Sequence, residues 1–234
     1  YWLTQSCPTG HGSVGCPPGT LANNFWPAFG NTLFFTLVTV LLETILGIGM
    51  ALVMAKDFHG RGLLRAAVLV PWAIPTAITA KLWAFLFSEQ GIVNSIFHAH
   101  VAWQTDPWAA RFSIILADVW KTTPFMALLI LAGLQMIPKD LYEAARMDGA
   151  NAWQRFTRIT LPLAKNSIIV AVLFRMLDAL RMYDLPYIMV GPNPDSPTAT
   201  LSQLVVAAIR QDHVNAASAL STLIFLLIFL IALC

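Results

Sequence analysis

Charged residues are scarce in this 234-residue sequence. Asp, Glu, Lys and Arg make up 11% of it, whereas 57% of the residues are hydrophobic. A soluble domain carries about a quarter charged residues, and the mean hydropathy here is +0.67. The net charge of +2 is too small to indicate nucleic-acid binding. The shortage of charge therefore predicts an integral membrane protein.

Cysteine is also scarce, and the three cysteines, Cys7, Cys16 and Cys234, form no metal-binding pattern. We therefore predict no metal site. Cys7 and Cys16 lie in a Gly- and Pro-rich segment without Asp, Glu, Lys or Arg, whereas Cys234 lies in an apolar run. If that segment lies outside the cell, Cys7 and Cys16 can close a short loop as a disulfide. Two free thiols fit the spacing equally well.

Five hydrophobic stretches are long enough to cross a membrane as helices, which takes about 20 apolar residues. The predicted spans are residues 31–55, 63–87, 112–136, 166–189 and 216–234. Pro71 and Pro75 fall inside the second span and predict a broken or kinked helix, because the carbonyls that they release need partners. We expect an all-α polytopic membrane bundle. Since the sequence starts at Tyr1 and ends inside the fifth stretch, we also expect the interior of a longer chain.

Lysine and arginine are unevenly distributed between the polar loops. The loops at 56–65 and 137–165 carry eight of these cations, whereas the other three loops together carry two. Cytoplasmic loops are enriched in Lys and Arg. The asymmetry predicts that the two basic loops are cytoplasmic and that residues 1–28 form an extracytoplasmic loop.

The most polar segment of the chain is the insert at residues 138–162, which lies between two long hydrophobic runs. Pro138 suits the first turn of a helix. Asp140 and Glu143 would lie near the positive end of its dipole. Gly149 occupies the C′ position, at which such a helix ends.

The first insert helix also has a narrow face of low bulk, because Leu141, Ala144 and Ala145 fall at i, i+3 and i+4. A second short helix is predicted from about Asn151, ended by Pro162. Such a surface suits a cleft on a partner protein. An interfacial loop without a partner fits the composition as well.

One motif carries a resemblance to a known family. It reads Glu143-Ala144-Ala145, three residues, Gly149, nine residues, Ile159, one residue and Leu161-Pro162. It resembles the EAA signature of permease subunits of binding-protein-dependent ABC importers. Three stretches are similar to the carbohydrate-uptake branch with maltose and trehalose permeases: DVWKTTPF (118–125), AGLQMIPKDLYEAARMDGA (132–150) and YDLPYIM (183–189). The similarity covers residues 31–234, five of the family's usual six spans.

The resemblance implies an importer transmembrane domain over residues 29–234, with a coupling helix in the 138–162 insert that docks into a groove of an ATPase subunit. The docking residues it implies are Glu143, Ala144, Ala145, Asp148 and Gly149. Glu143 would pair with a basic residue of the ATPase, and the alanines would permit close approach. ATP binding would close the ATPases and switch the pore from inward-open to outward-open.

The same resemblance implies the partners of the chain. They are ABC ATPase subunits that bind ATP and Mg, a second homologous permease and an extracytoplasmic sugar-binding protein or lipoprotein. The sequence has no GxxxxGK[ST] phosphate loop, so we expect a transport subunit without a cofactor or enzyme activity of its own. The expected cargo is a sugar, a disaccharide such as trehalose or a maltose-like glucoside. The expected location is the lipid of the cytoplasmic (inner) membrane of a prokaryote.

Four ions follow one another at three-residue steps in the fourth span: Arg175, Asp178, Arg181 and Asp184. On one helix they would lie near one face, and ions at membrane depth line a cavity or pair with each other. One interpretation is that Asp178, Arg181, Tyr183 and Asp184 form part of the sugar pathway. The alternative is a salt-bridge ladder that only holds helices together. Maltose permeases are similar in placing polar groups here, but they use asparagines where this sequence has charges.

Ions also occur in the first three spans. Glu43 and Lys81 can pair with each other or with a partner subunit. Asp118 and Lys121 lie near the predicted outer end of their span, where snorkelling to the interface is expected.

Two other classes of function compete with an importer permease. One is an ion-coupled secondary transporter that uses Asp178 and Asp184 as proton or ion carriers. The other is a membrane-anchored structural or assembly protein without cargo. The polar insert disfavours the first class. The proline-broken helix and the charged face disfavour the second.

Overall fold

The computed structural model describes residues 6–9, 12–15, 20, 22–98 and 100–233. Two short strands, β1 (Ser6–Thr9) and β2 (Gly12–Gly15), pair antiparallel near the start of the chain. The loop prediction for residues 1–28 is therefore wrong at these strands, because proline and glycine break helices but do not prevent extended segments from pairing. The possible Cys7–Cys16 disulfide involves Cys16, which lies outside the described residues.

All other regular secondary structure in the described residues is helical. The helices are α1 (Phe25–Met54), α2 (Arg61–Ala73), α3 (Thr76–Leu86), α4 (Ile92–Phe97), α5 (Pro107–Gln135), α6 (Lys139–Met147), α7 (Ala152–Arg155), α8 (Leu161–Ala179), α9 (Asp184–Met189), α10 (Leu201–Arg210) and α11 (Val214–Leu233). A π-helical segment, Phe156–Thr160, joins α7 to α8.

Up to five membrane spans fit the described helices by length and composition. Four are single helices: α1, α5, the continuous helix Ala152–Ala179 and α11. The fifth, counted as one span, is the pair α2 and α3, which a break at Ile74 and Pro75 separates. The upper count of five and the break in the second span agree with the sequence prediction.

The break between α2 and α3 is held by a side chain of α5. Ile74 is the extended C-cap of α2, so its carbonyl lies outside the helical hydrogen-bond pattern and needs a partner from elsewhere. Lys121 Nζ donates to the carbonyl oxygen of Ile74 at 3.0 Å. Lys121 and Asp118 are both buried, because α5 begins at Pro107 and places them well inside the helix. The predicted snorkelling of these two residues is wrong.

The fourth span ends earlier than the sequence predicts. α8 stops at Ala179, and residues 180–183 are not helical. Arg181 and Asp184 therefore lie beyond the helix that carries Arg175. Residues spaced three apart share a face only on an uninterrupted helix. The prediction that Arg175, Asp178, Arg181 and Asp184 lie on one face is therefore wrong.

Pro162 does not end the second insert helix. It lies inside the continuous helix Ala152–Ala179, one residue after Leu161, whose N–H bonds to the carbonyl of Phe156 in the wider π pattern. A proline removes a backbone donor and crowds the preceding turn, and a π segment absorbs such a defect within a helix. The insert therefore continues directly into a membrane helix.

The chain divides into two compact units. Unit 1 comprises Tyr1–Val38, Pro75–Asp118 and Leu177–Cys234, and unit 2 comprises Thr39–Ile74 and Val119–Met176. In unit 1, apolar clusters form around Phe35 and around Leu204. In unit 2, one forms around Met126.

Two helices of unit 2 cross closely at a glycine. A Cβ atom built on Gly133 of α5 would lie 2.1 Å from Ser167 Oγ of α8. No real Cβ contact is that short, so a side chain at this position would force the helices apart. Small residues permit this kind of close approach between membrane helices.

Candidate functional site

The first insert helix, α6, is mostly exposed. Pro138 is its N-cap, and none of its nine residues is buried. Asp140 lies in the first turn and Arg146 in the last, as the helix dipole favours. Leu141 is 44% exposed and Met147 is 89% exposed. Uncovered apolar side chains among charges are typical of a surface that a partner covers.

The C-terminal end of α6 is closed by a glycine and two backbone hydrogen bonds. Gly149 has a left-handed φ of 77°. Its N–H bonds to the carbonyl of Arg146 at 3.0 Å, and the N–H of Ala150 bonds to the carbonyl of Ala145 at 2.9 Å. These two bonds are the Schellman arrangement. The structure confirms that Gly149 is the C′ residue.

All five predicted docking residues lie on α6 or directly after it. Glu143 and Ala144 are exposed, and Ala145 is half-buried. Asp148 is the C-cap residue. The structure thus presents Glu143 and the following alanine outward, as a docking surface requires.

The second insert helix ties α6 to a membrane span. Asn151 and Gln154 form a capping box, each side chain accepting from the backbone N–H of the other, so α7 starts where the sequence predicts. The hydroxyl oxygens of Tyr142 and Thr160 are 3.1 Å apart, which joins α6 to the π segment. Trp153 is 70% exposed on α7. A force on the insert therefore acts directly on α8.

An exposed ion cluster connects α6 to the segment between α1 and α2. Lys139 Nζ donates to Asp57 at 2.9 Å, and Arg61 also pairs with Asp57. The hydrogen bond and charge of Lys139, together with the charge of Arg61, hold the pKa of the Asp57 carboxyl below its ordinary value. Exposed pairs of this kind contribute little to stability.

A buried ion pair lies within unit 2. Arg175 on α8 donates from Nε to Glu43 Oε2 at 2.5 Å and from Nη2 to Glu43 Oε1 at 3.0 Å. The hydroxyl of Thr122 on α5 donates to Glu43 Oε1 at 2.6 Å. Glu43 therefore has a partner other than Lys81. Sequence reasoning missed this pair because its members are 132 positions apart, and no local spacing records such a contact.

The predicted pathway residues lie in unit 1, around the end of α8. Arg181 Nη2 is 3.5 Å from Asp178 Oδ1, and their side chains are 70% and 57% exposed. Tyr183 stacks on Tyr187 with 4.9 Å between ring centroids. Asp184 is exposed in the first turn of α9. These residues form an open surface of ions beside aromatic rings, which suits hydrogen bonding and ring stacking with a polar cargo.

A second cation extends this surface. Arg210, the last residue of α10, places its guanidinium 5.1 Å from the ring centroid of Tyr187. Sequence reasoning missed this contact. Arg210 has no local relation to the Tyr183–Tyr187 segment.

The chain matches a family model over residues 43–234, most of its length. That model describes the binding-protein-dependent transport system inner membrane component. The chain belongs to this family. The match includes the whole insert, the Glu43–Arg175 pair and the open surface around Asp178.

Two curated relatives are similar over most of the chain. The trehalose/maltose transport system permease protein of Thermococcus litoralis is 46% identical over 212 residues, which cover 88% of this chain and 72% of the relative. The sulfoquinovosyl glycerol transport system permease protein of Agrobacterium fabrum is 42% identical over 186 residues, which cover 77% of this chain and 60% of the relative. The chain thus spans only part of each relative.

A solved structure shares the fold. The bacterial ABC transporter that imports the acidic polysaccharide alginate matches with a TM-score of 0.81 at 26% identity, covering 90% of this chain and 77% of that chain. That transporter has also been solved with a periplasmic protein that holds an alginate pentasaccharide. The fold is that of an ABC importer permease, as the resemblance in the sequence implies.

Proposed function

We propose that this chain is a translocating subunit of an ATP-driven importer that carries a sugar across the cytoplasmic membrane by alternating access. The observation that carries the proposal is α6. It is an exposed helix with Glu143 and Ala144 facing outward, it ends at Gly149, and it is joined to α8 through Tyr142 and Thr160. A partner that moves α6 moves a membrane helix with it.

The partner of α6 is an ATPase subunit, which binds ATP and Mg. The docking contacts are Glu143, Ala144, Ala145, Asp148 and Gly149. Glu143 offers an exposed carboxylate to a basic groove, and the small alanines permit the groove wall to approach. The Lys and Arg asymmetry between the loops supports a cytoplasmic position for this surface, with residues 1–28 outside.

The cargo is a small glycoside, a disaccharide such as trehalose or a maltose-like glucoside. The names of both relatives support this class, since one carries trehalose or maltose and the other a glycerol glycoside. In this chain, Asp178, Arg181, Tyr183 and Asp184 contact the sugar. Ionic side chains bind hydroxyl groups, and an aromatic ring stacks on the apolar face of a sugar ring.

A second homologous permease and an extracytoplasmic sugar-binding protein complete the importer. The open surface around Asp178 would face the second permease across the pathway. The solved alginate transporter with its periplasmic protein supports the binding-protein partner by analogy.

Reconstituted uptake tests this proposal against ion-coupled transport. The complex that co-purifies with the chain is placed in liposomes with ATP inside and labelled trehalose plus the binding protein outside. We expect uptake that requires ATP and persists when a protonophore collapses the ion gradient. The opposite result would be uptake that needs no ATPase subunit and is lost when the protonophore is added. It would overturn the proposal in favour of an ion-coupled transporter with carriers at Asp178 and Asp184.

A further inference from the structure

A basic groove opens beside α6 in unit 2, and Glu143, one of the proposed docking residues, lies in its lining. The proposed transport cycle assigns no role to the cations of the groove. Its volume is about 850 Å³. Five cationic side chains line it, Lys56, Arg61, Arg65, Lys139 and Arg146, against two carboxylates. The excess of positive charge suits an anion.

The cations of the groove are not equally available. Asp57 pairs with Arg61 and Lys139. Arg65 donates from Nη2 to the carbonyl oxygen of Met54 at 2.8 Å. A guanidinium carries five N–H donors, so the bond to Met54 leaves others that an anionic oxygen in the groove can use.

Exposed apolar side chains occur in the same chain segments as the groove lining. Val53, Phe58, Leu63 and Met136 are exposed, and each is the immediate chain neighbour of, or lies between, residues that line the groove. Leu63 is 78% exposed and Met136 is 83% exposed. α1 and α5, both long enough to cross a membrane, end here. Cations and uncovered apolar groups at the ends of membrane helices are typical of the lipid headgroup region.

We infer that the groove binds the phosphate of an anionic phospholipid headgroup. Arg65 and Lys56 contact the phosphate oxygens, and the acyl chains lie against the neighbouring apolar side chains. The lipid is the favoured source of the phosphate because the groove lies where α1 and α5 end, which is where headgroups meet membrane helices. Basic pockets near the cytoplasmic ends of membrane helices bind such headgroups.

Native mass spectrometry of the detergent-solubilised complex tests this site. The complex is mixed with equal concentrations of dioctanoyl phosphatidylglycerol or dioctanoyl phosphatidylcholine, which differ in net charge. The variant Lys56→Gln/Arg65→Gln is compared with the matched control Arg158→Gln/Lys165→Gln, whose exposed cations lie outside the groove lining. We expect the first variant to weaken phosphatidylglycerol binding about five-fold for each cation removed, with no change in the control.

Three results would overturn the inference. They are equal binding of the two lipids, an equal loss in both double variants, and displacement of phosphatidylglycerol by an equal concentration of inorganic phosphate, which would assign the site to the free ion. Lys56→Gln alone serves as the folding control, because Lys56 is exposed. It should lose about five-fold in phosphatidylglycerol affinity while its thermal unfolding remains that of the parent.

Discussion

Arg175 and Glu43 form a buried, two-point ion pair that joins α8 to α1 within unit 2, and their side chains are 2% and 0% exposed. Thr122 of α5 adds a third helix to the contact. A buried pair gains little net stability over apolar packing, but it penalises any arrangement in which one ion loses its partner. The pair therefore selects one packing of three helices.

Removal of one member of this pair should destabilise the fold more than removal of both. We expect Arg175→Met to lower the free energy of unfolding by about 3–5 kcal/mol, because Glu43 would be left charged in apolar surroundings. Glu43→Leu/Arg175→Leu should cost much less. Thermal unfolding of the detergent-solubilised protein measures both. A double variant as unstable as the single one would contradict this account.

Charge reversal at Glu143 should uncouple transport from ATP hydrolysis. Glu143→Lys replaces an exposed carboxylate of α6 with a cation, which a basic groove on the ATPase would repel. We expect sugar uptake to fall to background while the permease remains folded. Glu89→Lys makes the same change at another exposed carboxylate and should transport normally. Parent-level uptake by Glu143→Lys would refute the coupling role.

The left-handed turn at Gly149 should tolerate asparagine but not valine. Its φ of 77° is open to glycine and moderately to asparagine, and for other residues this conformation costs about 1–2 kcal/mol. We expect Gly149→Val to reduce uptake strongly and Gly149→Asn to retain most of it. A Cβ here meets no atom within 4 Å, so the difference reports on backbone strain. Equal uptake by the two variants would show that the turn does not matter for coupling.

Replacing Asp178 and Arg181 with alanine or with neutral amides distinguishes a sugar contact from a salt bridge at these two positions. Asp178→Ala/Arg181→Ala removes both ions and the hydrogen-bonding groups, and we expect a large rise in KM for the sugar. Asp178→Asn/Arg181→Gln removes the charges but keeps polar groups that can bind hydroxyls, and it should recover part of the affinity. Parent-level uptake by the alanine pair would leave these two residues with a structural role alone.

The crossing at Gly133 should be sensitive to a single methyl group. Gly133→Ala places a Cβ against Ser167, and overpacking of this kind costs about 1–3 kcal/mol. Ser167→Gly in the same chain should restore stability, since it removes the atoms in conflict. Gly49→Ala in α1 is the matched control, because a Cβ there meets nothing within 4 Å. Failure of the rescue in thermal unfolding would contradict the close crossing.

Features encoded within a few neighbouring residues were predictable from the sequence. The spans follow from apolar runs, the break between α2 and α3 from two prolines, and the start of α7 from Asn151. The C′ position of Gly149 belongs to this group, because a helix end is determined by the one residue that tolerates a left-handed backbone. Local signals gave the wrong prediction at Pro162, because a proline can either end a helix or be accommodated inside it. Here the π segment Phe156–Thr160 accommodates the proline and the helix continues.

By itself, the sequence determined the class of protein: a membrane bundle with a polar insert whose motif spacing identifies its family. Only the tertiary structure decided which ions meet. Glu43 pairs with Arg175, and Lys121 donates a hydrogen bond to the carbonyl oxygen of Ile74. These partners lie far apart in the chain and meet only when the helices pack. The energy of a buried charge depends on the groups that pack against it. The spacing of residues along the chain does not show which groups those are.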